Sequence, residues 1–128
     1  MRLLLDTHAF LWWIFDDRRL SPTARDLIAD PSAEILFSVV SAWEIAIKAR
    51  TGRLDLPADV PAFVQDQVRR NRFTVLPIAL RHALQVHALP DHHRYPFDRL
   101  LVAQAQVEKV PLLSRDAQSA AYDVELRW

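Results

Sequence analysis

A chain of 128 residues that is 51% hydrophobic and 25% charged has the balance of one globular domain with its own core, which excludes disorder. It contains no cysteine, which excludes disulfide frameworks, thiolate zinc sites and cysteine nucleophiles together. Sixteen basic and sixteen acidic residues cancel, so the chain as a whole is no polybasic nucleic-acid binder, although a zero sum says nothing about distribution.

In chain order, Leu3 to Leu5 reads as a short buried strand ending on Asp6, followed by helix from about His8 to Phe15. Asp6 interrupts what would be a signal-peptide core. The longest apolar run, Ala9 to Phe15, is far short of the roughly 20 residues a membrane span needs, so a cytoplasmic protein with no membrane partner is expected. Ser21-Pro22 is an N-cap with proline in the first helical position, opening a helix to about Ala29 that Pro31 stops. Glu34 to Ser38 reads as a strand, then Ser41 to Arg50 as a helix closed at Gly52, the sole glycine. Asp59 and Pro61 open a helix through about Arg70, Phe73 to Leu76 is a strand closed by Pro77, and Ala79 to about Ala88 is helical. A proline-bounded loop from Leu89 leads into a helix from Pro96 to about Glu108. Val110 to Ser114 reads as a strand, Ala117 to Tyr122 as a short helix, and Val124 to Trp128 as a last strand. Short apolar strands alternating with helices predict a single α/β domain over 1–128, a short central parallel sheet with helices on both faces.

In such sheets the binding crevice lies beyond the carboxyl ends of the strands. Four acids fall there. Asp6 closes the first strand, Glu44 follows the second, Asp98 lies in the first turn of the helix opening at Pro96, and Asp116 stands two residues past Ser114. Each has an ordinary explanation. Ser41-Ala42-Trp43-Glu44 fits a capping box, Asp98 suits a helix dipole, Asp116 caps the next short helix, and Asp6 or Thr7 caps the first. Together they are less ordinary, because buried ionised carboxylates crowded at one edge need a positive charge. An all-oxygen donor set, without cysteine and without histidines at ligand spacing, suits Mg²⁺ or Mn²⁺, the logic of metal-dependent phosphodiester hydrolysis. His82 and His87 are five apart and do not share a helix face.

The segments Leu4-Leu5-Asp6-Thr7-His8, Ser38-Val39-Val40-Ser41-Ala42-Trp43-Glu44-Ile45-Ala46-Ile47-Lys48, Pro96-Phe97-Asp98-Arg99-Leu100-Leu101-Val102-Ala103-Gln104-Ala105 and Leu113-Ser114-Arg115-Asp116 resemble the motifs of PIN-domain ribonucleases, and more narrowly of the VapC toxins of type II (VapBC) toxin–antitoxin systems. The resemblance covers nearly the whole chain in order. It implies a PIN-like fold and a prokaryotic, Mg²⁺- or Mn²⁺-dependent endoribonuclease leaving 5′-phosphate and 3′-hydroxyl ends. It further implies that Asp6, Glu44, Asp98 and Asp116 form the metal site, with Thr7 and Ser114 in support. The same resemblance implies a homodimer and a VapB-type antitoxin that covers the acidic groove. Two departures stand out. Tyr95 replaces an acid often found before the Pro-Phe-Asp of the third block, with Asp91 too distant to substitute. Asp123 stands at a common glycine, tolerable because aspartate accepts left-handed geometry.

RNA phosphate needs cations. The candidates are Lys48, Arg50 and Arg53; Arg69, Arg70 and Arg72; and Arg94, Arg99 and Arg115, of which Arg99 and Arg115 adjoin the acids in sequence and are preferred. His92 and His93 are further loop candidates. Trp12 and Trp13 point about 100° apart on an all-apolar helix, so both cannot face one core, and one of them is expected at an interface. The main rival reading is a PIN-like domain that binds RNA or protein without cutting it. A phosphoacceptor domain built on Asp6 would want a lysine at a strand end, and neither Lys48 nor Lys109 is placed for it.

Overall fold

The strands are short and apolar because both faces of the sheet are covered. In the computed structural model, which describes residues 1–57, 59–92 and 95–128, β1 (Arg2–Leu5), β2 (Glu34–Ser38), β3 (Thr74–Leu76), β4 (Leu112–Leu113) and β5 (Leu126–Arg127) form one parallel sheet in the order β3-β2-β1-β4-β5. Side chains alternate along each strand. Leu3, Leu5, Ile35, Phe37 and Leu113 enter one core with Phe10, Ala24, Ile28, Val64 and Val68 from α1 (Thr7–Ile14), α2 (Pro22–Ala29) and α4 (Val60–Arg70). Leu4, Leu36 and Leu112 enter the opposite core with Leu101, Val102 and Ala105 of α6 (Pro96–Glu108). Helix α3 (Val39–Arg50) serves both, giving Val40 to the second and Ile45 to the first. The predicted α/β class and the two-sided cover are therefore found.

Local chemistry explains most boundaries. Ser21 accepts from the Ala24 amide and Asp59 from the Ala62 amide, each ahead of a proline in the first turn. Helix α6 begins at Pro96 and ends at Lys109 in the left-handed region. Gly52, φ +78°, follows α3 where a side chain would be strained. Among the described residues the other left-handed positions are Asp16 and Arg72; Asp123 is not one, so its replacement of a glycine needs no such tolerance.

Several predicted boundaries move. Val110 to Ser114 pairs only over Leu112–Leu113, because Pro111 has no amide to give, although its carbonyl still accepts from Leu4 N. The helix expected from Ala79 to Ala88 is α5 (Leu80–Gln85) followed by one 3-10 turn, and Ala117–Ala121 is likewise 3-10. The shift of α3 matters most. Helix α3 starts at Val39, not Ser41, because Ser38 is already the cap and its Oγ accepts from Val40 N at 3.0 Å. Glu44 thereby moves to the second turn and is released from the expected capping box.

The Ser38 hydroxyl also donates to Oε1 of Gln104, a fully buried amide whose Nε2 reaches Pro77 O at 3.2 Å. Ser38→Ala removes a helix cap and a partner of a buried polar group at once. Urea unfolding is expected to register a loss of about 1–3 kcal/mol; a change below a few tenths would show that neither bond contributes.

Candidate active site at the sheet switch point

From β1 the sheet grows one way through β2 and β3 and the other way through β4 and β5, so the chain reverses its direction of growth between β1 and β4. The carboxyl ends of strands at such a reversal leave a crevice. Here the crevice is a cleft of about 410 Å³ whose lining includes Asp6 after β1, Ser114 and Asp116 after β4, and Asp98 from α6. Topology has brought together three acids separated by up to 110 positions. At the rim are His8, Trp12 and Arg115.

Asp6 caps α1, its Oδ1 accepting from Ala9 N at 2.7 Å. Burial pushes its carboxyl up from 3.8 to about 6, against hydrogen bonds from Ser114 and the Ala9 amide that favour the charged form; Asp116 and Glu44 add repulsion. Ser114, which is buried, also accepts from Asp116 N at 3.0 Å, so one hydroxyl ties the loop after β4 to the carboxylate after β1. Asp116 in turn caps the 3-10 turn at Ala117–Ala121 through Gln118 N at 3.0 Å. The capping roles of Asp6 and Asp116 are therefore real and leave both side chains lining the cleft.

Glu44 is arranged differently. It is 2% exposed and is not part of the cleft lining. Its Oε1 lies 2.6 Å from Thr7 Oγ1, which is also 2.9 Å from Ser41 Oγ. Its Oε2 accepts from Lys48 Nζ at 2.6 Å and Tyr95 OH at 3.1 Å. Burial alone would lower the Lys48 pKa, but Glu44 and Tyr95 together outweigh it and hold the ammonium above its ordinary value. Tyr95, noted in the sequence only for replacing an acid, is thus a partner of Glu44. Its signal was weak because the contact spans 51 positions. Among the described residues, no three His, Asp or Glu side chains close tightly enough to grip a bare cation among them.

The preferred cations divide. Arg115 stands at the rim of the cleft. Arg99 follows Asp98 in sequence, but its guanidinium is spent inside the fold on Pro90, Val86 and Leu89 carbonyls at 2.9–3.3 Å and lies 3.7 Å from Asp91. Adjacent helix positions point about 100° apart, so neighbourhood in sequence misplaced it. Lys48 is likewise committed to Glu44, and Arg69 and Arg70 pair with Asp66 on the exposed face of α4. Arg50, Arg53 and Arg72 are exposed, and His93 and Arg94 lie outside the described residues. His92 rests against the Tyr122 ring, and His82 is a buried structural residue joining Ala79 N to Glu108. Both tryptophans pack against the same core, contrary to expectation: Trp13 donates Nε1–H to Asn71 at 2.9 Å, while Trp12 turns toward the cleft and meets Trp128 edge-on. Helix α1 has neighbours on several sides, so rings about 100° apart both reach the core while each stays partly open to solvent. The large aromatics most open to solvent are Trp43 and Phe15.

Comparison with known proteins agrees with this architecture. The PIN domain model matches residues 3–125. A curated protein, Ribonuclease VapC16 of Mycobacterium tuberculosis, is 38% identical over 63 residues, which are 49% of this chain and 43% of that protein. The chain therefore spans less than half of that relative's length in the match. Among solved structures, VapBC2 from Rickettsia felis bound to a DNA fragment from their promoter superposes with a TM-score of 0.71 at 12% identity, covering 99% of this chain and 98% of that one. A toxin–antitoxin complex from Klebsiella pneumoniae gives 0.63 at 21% identity over 98% and 96% of the two chains. FitAcB from Neisseria gonorrhoeae gives 0.61 at 16% identity over 97% and 95%. At these identities the neighbours carry the fold alone. The family model spans both halves of the sheet and all four acids, and on that match the chain belongs to the PIN-domain family.

Proposed function

We propose that this chain is a divalent-metal-dependent endoribonuclease, the toxin of a toxin–antitoxin pair. The observation that carries the reading is the convergence of Asp6, Asp98 and Asp116 on one cleft at the switch point, with Asp6 held there against burial and against repulsion from its neighbours. Groups displaced in this way cluster at functional sites. The donor set supports Mg²⁺ or Mn²⁺: it is wholly oxygen, and the acids line a cleft roomy enough for an ion that retains several of its waters. Asp6, Asp98 and Asp116 would hold it, directly or through those waters. When bound, the ion supplies charge neutralisation to the phosphodiester and lowers the pKa of water.

The protein's own part is positioning. Ser114 holds Asp6 in its charged form and fixes the Asp116 loop beside it. Thr7 and Tyr95 orient Glu44, which adds negative potential behind Asp6 while Lys48 balances its charge. Attack by water on phosphorus with departure of the 3′-oxygen leaves a 5′-phosphate and a 3′-hydroxyl, the expected ends. Structural neighbours that are VapBC2 and a toxin–antitoxin complex support an antitoxin as partner; by family resemblance that partner lays a segment over the open cleft and excludes RNA. Ribonuclease VapC16, similar over its matched part, supports RNA as substrate. A homodimer remains part of the reading by family resemblance.

Purified protein incubated with structured RNA and Mn²⁺ is expected to cut it, chelator to stop the reaction, and Asp98→Asn to lower the rate at least a hundredfold (about 3 kcal/mol). Asp98→Asn should also erase the rise in melting temperature that Mn²⁺ gives the wild type. Cleavage that persists in chelator, or a mutant as fast and as metal-stabilised as the wild type, refutes the assignment.

A further inference from the structure

The acidic cleft repels the phosphate chain it is proposed to cut, so a cation must stand at its edge. Among the described residues, Arg99 and Arg19 are committed elsewhere. Arg99 is bound to loop carbonyls, and Arg19 is engaged with Asp17 through Nε at 3.1 Å and Nη2 at 2.7 Å. Arg115 differs: it is exposed where it lines the cleft, and among the described residues its guanidinium makes no hydrogen bond and no close ion pair, its charge reaching Asp17 only at longer range. It is nevertheless anchored. Its Cζ lies 5.0 Å from the centre of the Trp12 ring, and that ring also carries Arg19 at 4.9 Å, a stacked His8 at 5.3 Å and the edge of Trp128 at 5.7 Å.

This surrounding decides what Trp12 can do. With an imidazole, two guanidinium groups and a second indole against it, the ring has little free face on which to stack a base. It instead serves as a platform that pre-orients a guanidinium without using its five N–H donors. Trp12 and Arg115 both line the cleft that holds Asp6, Asp98 and Asp116. An anion seated on Arg115 would therefore share the cleft with these carboxylates.

We infer that Trp12 and Arg115 form a phosphate subsite that grips the RNA backbone at a phosphodiester next to the one cut, holding the strand across the acidic cleft. The inference rests on the ribonuclease reading for the identity of the strand and on the geometry above for the site. RNA is favoured over an acidic protein segment because the planar fork suits phosphate bidentately and an adjoining cleft continues the path of a chain. Arg115 is a positioning residue: it touches a neighbouring phosphate and moves no proton.

The test measures binding and turnover separately. Fluorescence anisotropy with a labelled single-stranded RNA of about ten nucleotides, in chelator and over a range of KCl, is expected to show about tenfold weaker binding for Arg115→Ala, with the slope of log K against log salt reduced by about 0.7, one phosphate contact on a single strand. Arg115→Lys keeps most of the slope. With Mn²⁺, Arg115→Ala is expected to raise KM about tenfold and change kcat less than twofold. Trp12→Leu, checked for folding by circular dichroism, should weaken binding in the same direction, since it unseats the guanidinium. Affinity and salt slope unchanged by Arg115→Ala overturn the subsite even if the protein cuts RNA. Arg115-dependent binding without metal-dependent cleavage leaves the subsite standing and removes the nuclease. A loss confined to kcat, or an Arg115 dependence seen only with an oligo-glutamate peptide in place of RNA, also overturns it.

Discussion

Asp6→Asn is expected to stabilise the metal-free protein at pH 7.5 while abolishing RNA cleavage. Its carboxyl is pushed up to about 6, first by burial and then by Asp116 and Glu44, despite help from Ser114 and the Ala9 amide. The sign follows from proton binding. The folded chain holds this proton more tightly than the unfolded chain, in which the group ionises near its ordinary 3.8. Stability from this group is therefore present at low pH, declines as pH rises from about 4 through about 6, and is fully lost above. A shift of about two units sets a ceiling near 3 kcal/mol, and because Asp6 retains some solvent contact, about 1–2 kcal/mol is expected. For a chain of this size that is a rise of about 3–8 °C in melting temperature. Asparagine caps helices as well as aspartate, so the bond to Ala9 survives. Thermal melts in chelator between pH 4 and 8 check this: the two proteins should converge at the acid end and part above pH 6. A melting temperature that falls at pH 7.5, or an unchanged pH slope, contradicts it. Added Mn²⁺ should reverse the order, stabilising the wild type and leaving the mutant unmoved. Stability gained where activity is lost is the signature of a group kept for function.

The second large effect concerns Lys48. Glu44 is 2% exposed, and Lys48 at 2.6 Å is the cation that neutralises it. Truncating one member of a buried pair strands the other, whereas replacing both is close to neutral. Lys48→Met is expected to cost about 2–4 kcal/mol in urea unfolding, somewhat under the fully buried case because the lysine reaches solvent. Glu44→Gln added to Lys48→Met should recover most of that loss. The cycle isolates the coupling, and additive single and double losses would show that the pair is not one unit. The double mutant also tests whether Glu44 acts in folding alone: cleavage restored together with stability would leave its carboxylate no part in the proposed reaction.

How much was legible in the sequence varied with the range of the interaction. Ser21-Pro22, Asp59-Val60-Pro61 and Tyr95-Pro96 announced three helix starts within a residue of where they occur, because a cap and a proline act within one turn. Glu34 to Ser38 was readable as a strand for its apolar run. The start of α3 was misread because two serines, Ser38 and Ser41, offered equally good local chemistry; register against β1 and β3 and the buried amide of Gln104 chose Ser38. The edge strands shrank for a similar reason. Strand pairing is granted by the neighbour, and β5 has only one.

The sequence by itself determined the class of fold, the carboxyl-end placement of four acids, and the absence of any thiol donor in a chain without cysteine. These follow from periodicity and residue type, which are local properties. Only the tertiary structure decided how the charges are used. It set Glu44 with Lys48 and Tyr95 behind the cleft, turned Arg99 inward to the Pro90 loop, and left Arg115 standing on Trp12 beside Asp6, Asp98 and Asp116. A side chain's charge is written in the sequence. Its partner depends on which way each helix faces when the sheet closes, and that is settled by the packing of two cores at once.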